Sequence, residues 1–157
     1  MIPILQNEAK VVGFMPDSLT CKVTEERNGI YELTMTYPVT GPLFSEIKVD
    51  RFIKAKPNDT SSNQLFRIYE ITKPINEIVT INAEHVSYSL SHYPINNVSV
   101  SGNATIAINA LLSNANSNLS KPHGFSVATS DITIVKDFAI GIGSVRSALG
   151  GVTGSIL

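Results

Sequence analysis

The stretch DSLTCKVTEERNGIYELTMTYP, residues 17–38, admits one strand register that leaves a clean apolar face. A two-residue turn at Asn28-Gly29 sets Val23 opposite Thr34 and Lys22 opposite Met35, mixing polar and apolar side chains on both sides of the ribbon. A three-residue loop, Arg27-Asn28-Gly29, instead pairs Val23 with Leu33, Cys21 with Met35 and Leu19 with Tyr37. Strand side chains alternate with period two, so a one-residue slip inverts every one of them, and a three-residue loop takes a glycine in its left-handed position. The pattern predicts an antiparallel hairpin with one face committed to a core.

Composition extends that reading to the whole chain. Valine and isoleucine number 31 against 11 leucines, and Ser, Thr and Asn add 42 of the 157 residues. β-branched side chains suit a pleated surface, while short polar side chains compete with helical hydrogen bonding. The expected class is mainly β, of α+β type. The length suits one ordinary domain or two small ones.

Further elements follow along the chain. EIKVDRFIKAK (46–56) alternates as a strand, with Val49, Arg51, Ile53 and Ala55 against Asp50, Phe52 and Lys54. LFRIYEITK and INEIVTINAEHVSY form a second hairpin, turning at Lys73–Asn76 with Pro74 in the bend. Here Phe66, Ile68, Val79 and Ile81 share one face, and Tyr69, Ile71 and Ile78 the other, which predicts strands covered on both sides. After Pro94, Gly102 or Asn103 caps a helix through TIAINALLSNAN with a stripe of Ile106, Ala107, Ala110 and Leu111. GFSVAT and DITIVKDFAI read as a strand pair, and Ser144 caps a short helix VRSAL that Gly150-Gly151 ends. The organisation expected is a β-barrel-like antiparallel domain, 1–93, and a smaller α+β domain with two short helices, 94–157. The aliphatic ending GSIL suggests continuation beyond Leu157 in the parent gene.

Charge and leader features narrow the function classes. The 12 basic and 13 acidic residues are interspersed, so no basic stripe for a phosphate backbone exists, and sequence-specific nucleic-acid binding is not expected. No apolar run reaches the ~18 residues of a membrane span. MIPILQNEAKVVGF lacks the basic leader and long apolar stretch of a secretory signal, so the chain is expected to be made in the cytoplasm and to leave it only within something larger. The single cysteine, Cys21, excludes an internal disulfide and reads as a buried structural thiol on the hairpin face.

Candidate chemistry concentrates in AEHVSYSLSHYPI, residues 83–95. As a strand it puts Glu84, Val86, Tyr88 and Leu90 on one face and His85, Ser87, Ser89 and Ser91 on the other. A His85–Ser87 pair still needs an orienting carboxylate and an oxyanion hole, and no G-x-S-x-G elbow occurs anywhere. His85, His92 and His123 lack H-E-x-x-H spacing, and Glu84 points away from His85 on a strand, so no metal is expected. IGIGS (140–144) has neither a Walker lysine nor full G-x-G-x-x-G spacing and reads as a helix entry. Glu25-Glu26 alternate across a strand as solvated carboxylates. No catalytic, cofactor or metal residue is assigned. The absence of tryptophan argues against a sugar-stacking surface.

Three stretches carry a resemblance: NGIYELTMTYP (28–38), LFRIYEI…INAEHVSYSL (65–90) and GSVRSALGGVTGSIL (143–157). In order and spacing they resemble the N-terminal region of phage and prophage minor tail proteins, the prophage tail endopeptidase or tail-associated lysin family. The resemblance implies a baseplate-hub-like fold in the tail tip of a virion, assembled as a ring-shaped homotrimer. It implies the distal tail protein, the tail tube and the tape-measure protein as partners, with a part in host attachment and DNA ejection. In that family, peptidoglycan cleavage belongs to segments further downstream, so the resemblance transfers no catalytic residue. The alternative it leaves open is a cell-wall endopeptidase.

Overall fold

The computed structural model describes residues 2–8, 10–26, 29–122, 124–127 and 132–150. The chain divides into two compact units, residues 1–86 and 87–157, where the sequence pattern had put the boundary at 93/94. The earlier division falls where strand gives way to a 3-10 turn.

In the first unit the strands are β1 (Ile4–Asn7), β2 (Lys10–Phe14), β3 (Thr20–Glu25), β4 (Tyr31–Pro38), β5 (Phe52–Ala55), β6 (Gln64–Ile71) and β7 (Ile78–His85). Among the described residues they form one antiparallel sheet of seven, in the order β2-β1-β5-β6-β7-β4-β3. The mainly β class stands, but the sheet is not a closed barrel, because β2 and β3 are its two edges. It is nonetheless rolled. Cys21 of β3 and Ala55 of β5 line one cavity of about 220 Å³ together with Pro3. Four strand steps separate β3 from β5, or roughly 19 Å in a flat sheet at the usual strand spacing. Only a strong curl brings the two together.

The β3–β4 register is the one the alternation required: Cys21 pairs with Met35 and Val23 with Leu33. Glu26 donates its amide to the Ile30 carbonyl at 2.7 Å, closing the loop below Gly29. Arg27 and Asn28 at its tip lie outside the described residues. On β4, Leu33, Met35 and Tyr37 are fully buried, while the face of β3 opposite them is only partly covered. Leu19 remains 57% exposed. Cys21 is exposed too, a correction to the buried thiol expected, because its edge strand has no outer neighbour among the described residues.

The second hairpin departs from simple alternation. Ile68 pairs with Ala83 and Glu70 with Asn82, so Tyr69 is an extra residue in β6. A bulge of this kind shifts every later side chain by one face. It carries Ile71 to the core side, opposite Ile81, where it packs on the cluster of Phe66, Ile68, Val79, Ile81 and Ala83. That leaves Tyr69 and Ile78 on the outer face among Arg67, Glu70 and Glu84, so the expected second apolar face of Tyr69, Ile71 and Ile78 is broken up by charge. The turn is also displaced: Ile75 and Ile78 exchange backbone hydrogen bonds around Asn76-Glu77, both at positive φ. Residues 46–51 are not strand. A 3-10 turn at Phe44–Glu46 and a bend through Asp50 (φ 68°) precede β5, leaving Val49 51% exposed.

A 3-10 turn over Val86–His92 begins at the last residue of the first unit and leads, in the second, to β8 (Pro94–Ile95), β9 (Val98–Gly102), α1 (Ala104–Ser117), β10 (Lys136–Ile140), β11 (Gly143–Ser144) and α2 (Val145–Leu149). Asn103 caps α1 by accepting from the Ile106 amide at 3.0 Å. The buried stripe is Ala104, Ala107, Leu111, Leu112 and Ala115; Ile106, expected inside, is exposed. β10 pairs with β9, not with GFSVAT, whose residues 124–127 are irregular and whose last two lie outside the described residues. β8 pairs with β11. Leu90, Ile95, Leu111, Leu112, Val145 and Ala148 make this unit's core.

Candidate functional site

Phe66 and His85 are cross-strand partners on β6 and β7, so the imidazole sits on the core side of the sheet. It stacks on the Tyr31 ring, 4.2 Å between centroids and 21° between planes, and meets Phe66 edge-on at 5.5 Å. Tyr31 in turn meets Phe66 at 89° and 5.5 Å. Nε2 lies 3.1 Å from Gln64 Oε1. An amide oxygen can only accept, so Nε2 carries the proton in this contact. Burial lifts the Tyr31 phenol above its ordinary pKa, and the charge of Glu25 adds to the rise. These rings form the rim of a core.

Strand geometry stops at His85. Val86–His92 is a 3-10 turn, so the alternation that aligned His85 with Ser87, Ser89 and Ser91 is replaced. The Ser87 hydroxyl accepts from Arg146 Nη1 at 3.3 Å. The same guanidinium lies 3.8 Å above the Tyr88 ring centroid, a cation–π arrangement. His92 is exposed at the end of the turn, and His123 lies outside the described residues. Among the described residues no group of three His, Cys, Asp or Glu side chains could hold a metal.

The outer face of the same sheet carries the charges. Glu32 and Glu84 are directly opposite on β4 and β7, a like-charge pairing that is unfavourable by itself. Two donors offset it. Arg67 binds the Glu84 carboxylate through Nη2 and Asp50 through Nη1 at 3.0 Å. Tyr69, on the same outer face as Arg67, donates to Glu32 at 3.4 Å. The Glu84 hydrogen bond leads the causes that raise the Arg67 pKa. Burial, then Glu32, raises that of Tyr69. Beside them Asn82 donates to Glu70 at 2.7 Å and accepts from Thr34 at 3.3 Å. Each carboxylate here has a donor.

The remaining candidates are similarly occupied. Within 140–144, Gly143-Ser144 pairs with β8 and Ser144 caps α2 in a reciprocal box with Ser147. The Val145 amide donates to the Tyr93 carbonyl at 3.0 Å, and the Ser147 amide to Ser144 Oγ at 3.2 Å. At this helix entry the amides of Ser144, Val145 and Ser147 are thus engaged within the fold. Desolvation raises the Cys21 pKa although the residue is exposed, which keeps the thiol protonated and weakly nucleophilic at neutral pH. In the cavity it shares, Lys56 Nζ donates to the Asp59 carbonyl at 2.6 Å. No helix among the described residues is long and apolar enough to cross a membrane.

No protein-family model matches the chain, and no curated protein matches it. Among solved structures, the chain is similar to the prophage tail protein gp18 from Listeria monocytogenes EGD-e, with a TM-score of 0.57 at 12% sequence identity. The superposition covers 87% of this chain and 40% of that one, so the chain spans less than half the length of the protein it matches. At this identity the likeness is one of fold: the mainly β arrangement described above is also that of a phage tail protein.

Proposed function

We propose that this chain is a structural module of a phage or prophage tail, placed at the tail tip and without bond-breaking chemistry of its own. The observation that carries the proposal is the fold shared with a prophage tail protein over 87% of the chain. The geometry around His85 supports its non-catalytic half. The imidazole is spent on Tyr31, Phe66 and Gln64, and the Ser87 hydroxyl on Arg146. In this reading the module belongs to a threefold hub ring that continues the tail tube, borders the distal tail and tape-measure proteins, and serves host attachment and DNA ejection.

Antibodies raised against this chain, applied to particles induced from a lysogen that encodes it, test the placement. Gold label confined to the tail tip is the expected result; label on the capsid, or on no particle, overturns it. Assembly is tested by negative-stain imaging of the chain with its distal tail protein. Threefold rings are expected, and monomers persisting at high concentration count against the ring. For chemistry, the chain is expected to leave Gram-positive cell walls intact on a zymogram. Clearing that disappears in His85→Ala would establish an endopeptidase instead.

A further inference from the structure

We draw no further inference here: the strongest candidate, the exposed aliphatic approach to β10 at Ile134 and Val135, leads into a strand with a single partner among the described residues, and nothing in the structure shows what covers it.

Discussion

The ring of His85 lies face to face with that of Tyr31, 4.2 Å away, and its Nε2 reaches Gln64. If these contacts are structural, removing them changes stability. His85→Ala is expected to cost about 1–2 kcal/mol, since ring pairs contribute roughly 0.5–1.5 kcal/mol beyond their buried area. His85→Phe, which keeps a ring but loses the hydrogen bond, should cost less. Urea midpoints of the two variants decide; a His85→Ala protein as stable as the parent refutes the role.

Gly41 is the second test. A Cβ built there would sit 2.4 Å from Cε1 of Tyr37, whose side chain is fully buried and whose hydroxyl accepts from the Leu43 amide at 3.4 Å. The ring has nowhere to retreat, so Gly41→Ala should destabilise by about 1–3 kcal/mol. Combining it with Tyr37→Leu should cost less than the two single losses added together, because the smaller side chain vacates the contested space.

At the β6–β7 turn, Glu77 holds φ at 62° beside Asn76 at 51°. Both central residues of such a two-residue turn need positive φ, and asparagine followed by glycine fits best. A left-handed residue other than glycine costs roughly 1–2 kcal/mol, of which glycine's extra freedom in the unfolded chain returns a part. Glu77→Gly should therefore stabilise by about 0.5–1 kcal/mol, read as a raised Tm.

Arg67 serves two carboxylates of unequal exposure: the Glu84 side chain is 19% exposed and that of Asp50 74%. Arg67→Ala leaves the half-buried Glu84 without its cation, at an expected cost of about 1–3 kcal/mol. Asp50→Asn removes only a screened surface pair and keeps a side chain that tolerates positive φ, so its cost should stay below about 1 kcal/mol. Equal losses in chemical denaturation would contradict this ranking.

Acid sensitivity is tested at Glu46. The hydrogen bond from Arg51, 2.6 Å long, and then the Arg51 charge hold its pKa below the ordinary value. A depressed carboxylate contributes stability that is present above its unfolded pKa, roughly 4.3, and lost as pH falls through the folded one. The gap between the parent and Glu46→Gln should be visible at pH 7 and shrink below pH ~4. A gap that is constant with pH would assign the effect to something other than ionisation.

What could be read from the chain depended on how many physical constraints met at each residue. The β3–β4 register was legible because one inward face permits one pairing, and Cys21↔Met35 and Val23↔Leu33 follow from that. The capping of α2 by Ser144 was legible for the same reason, a short polar side chain ahead of an apolar period, whereas the α1 cap was narrowed only to Gly102 or Asn103, of which Asn103 serves. The bulge at Tyr69 was not legible, since an extra residue leaves no mark in composition. Val86 to Ser91 alternates like a strand, yet the ladder ends at His85, and an unpaired run is free to coil into a 3-10 turn. β9 was not read, although VSVSG alternates, because the strand that pairs with it, Lys136–Ile140, lies on the far side of α1 in sequence. As for the site, the sequence marked His85 only as a candidate, and its neighbours Tyr31 and Gln64, distant in sequence, could be found only from the fold.

The curl that brings Cys21 to the cavity beside Pro3 and Ala55 decides how the first unit comes apart. A barrel has no outermost strand to lose, whereas a sheet that curls without joining its ends has two. Among the described residues no ladder joins β3 to the opposite wall, so opening there breaks none, and local exchange with solvent begins there. Deuterium should therefore enter the outer strands β2 and β3 first and the central β6 and β7 last.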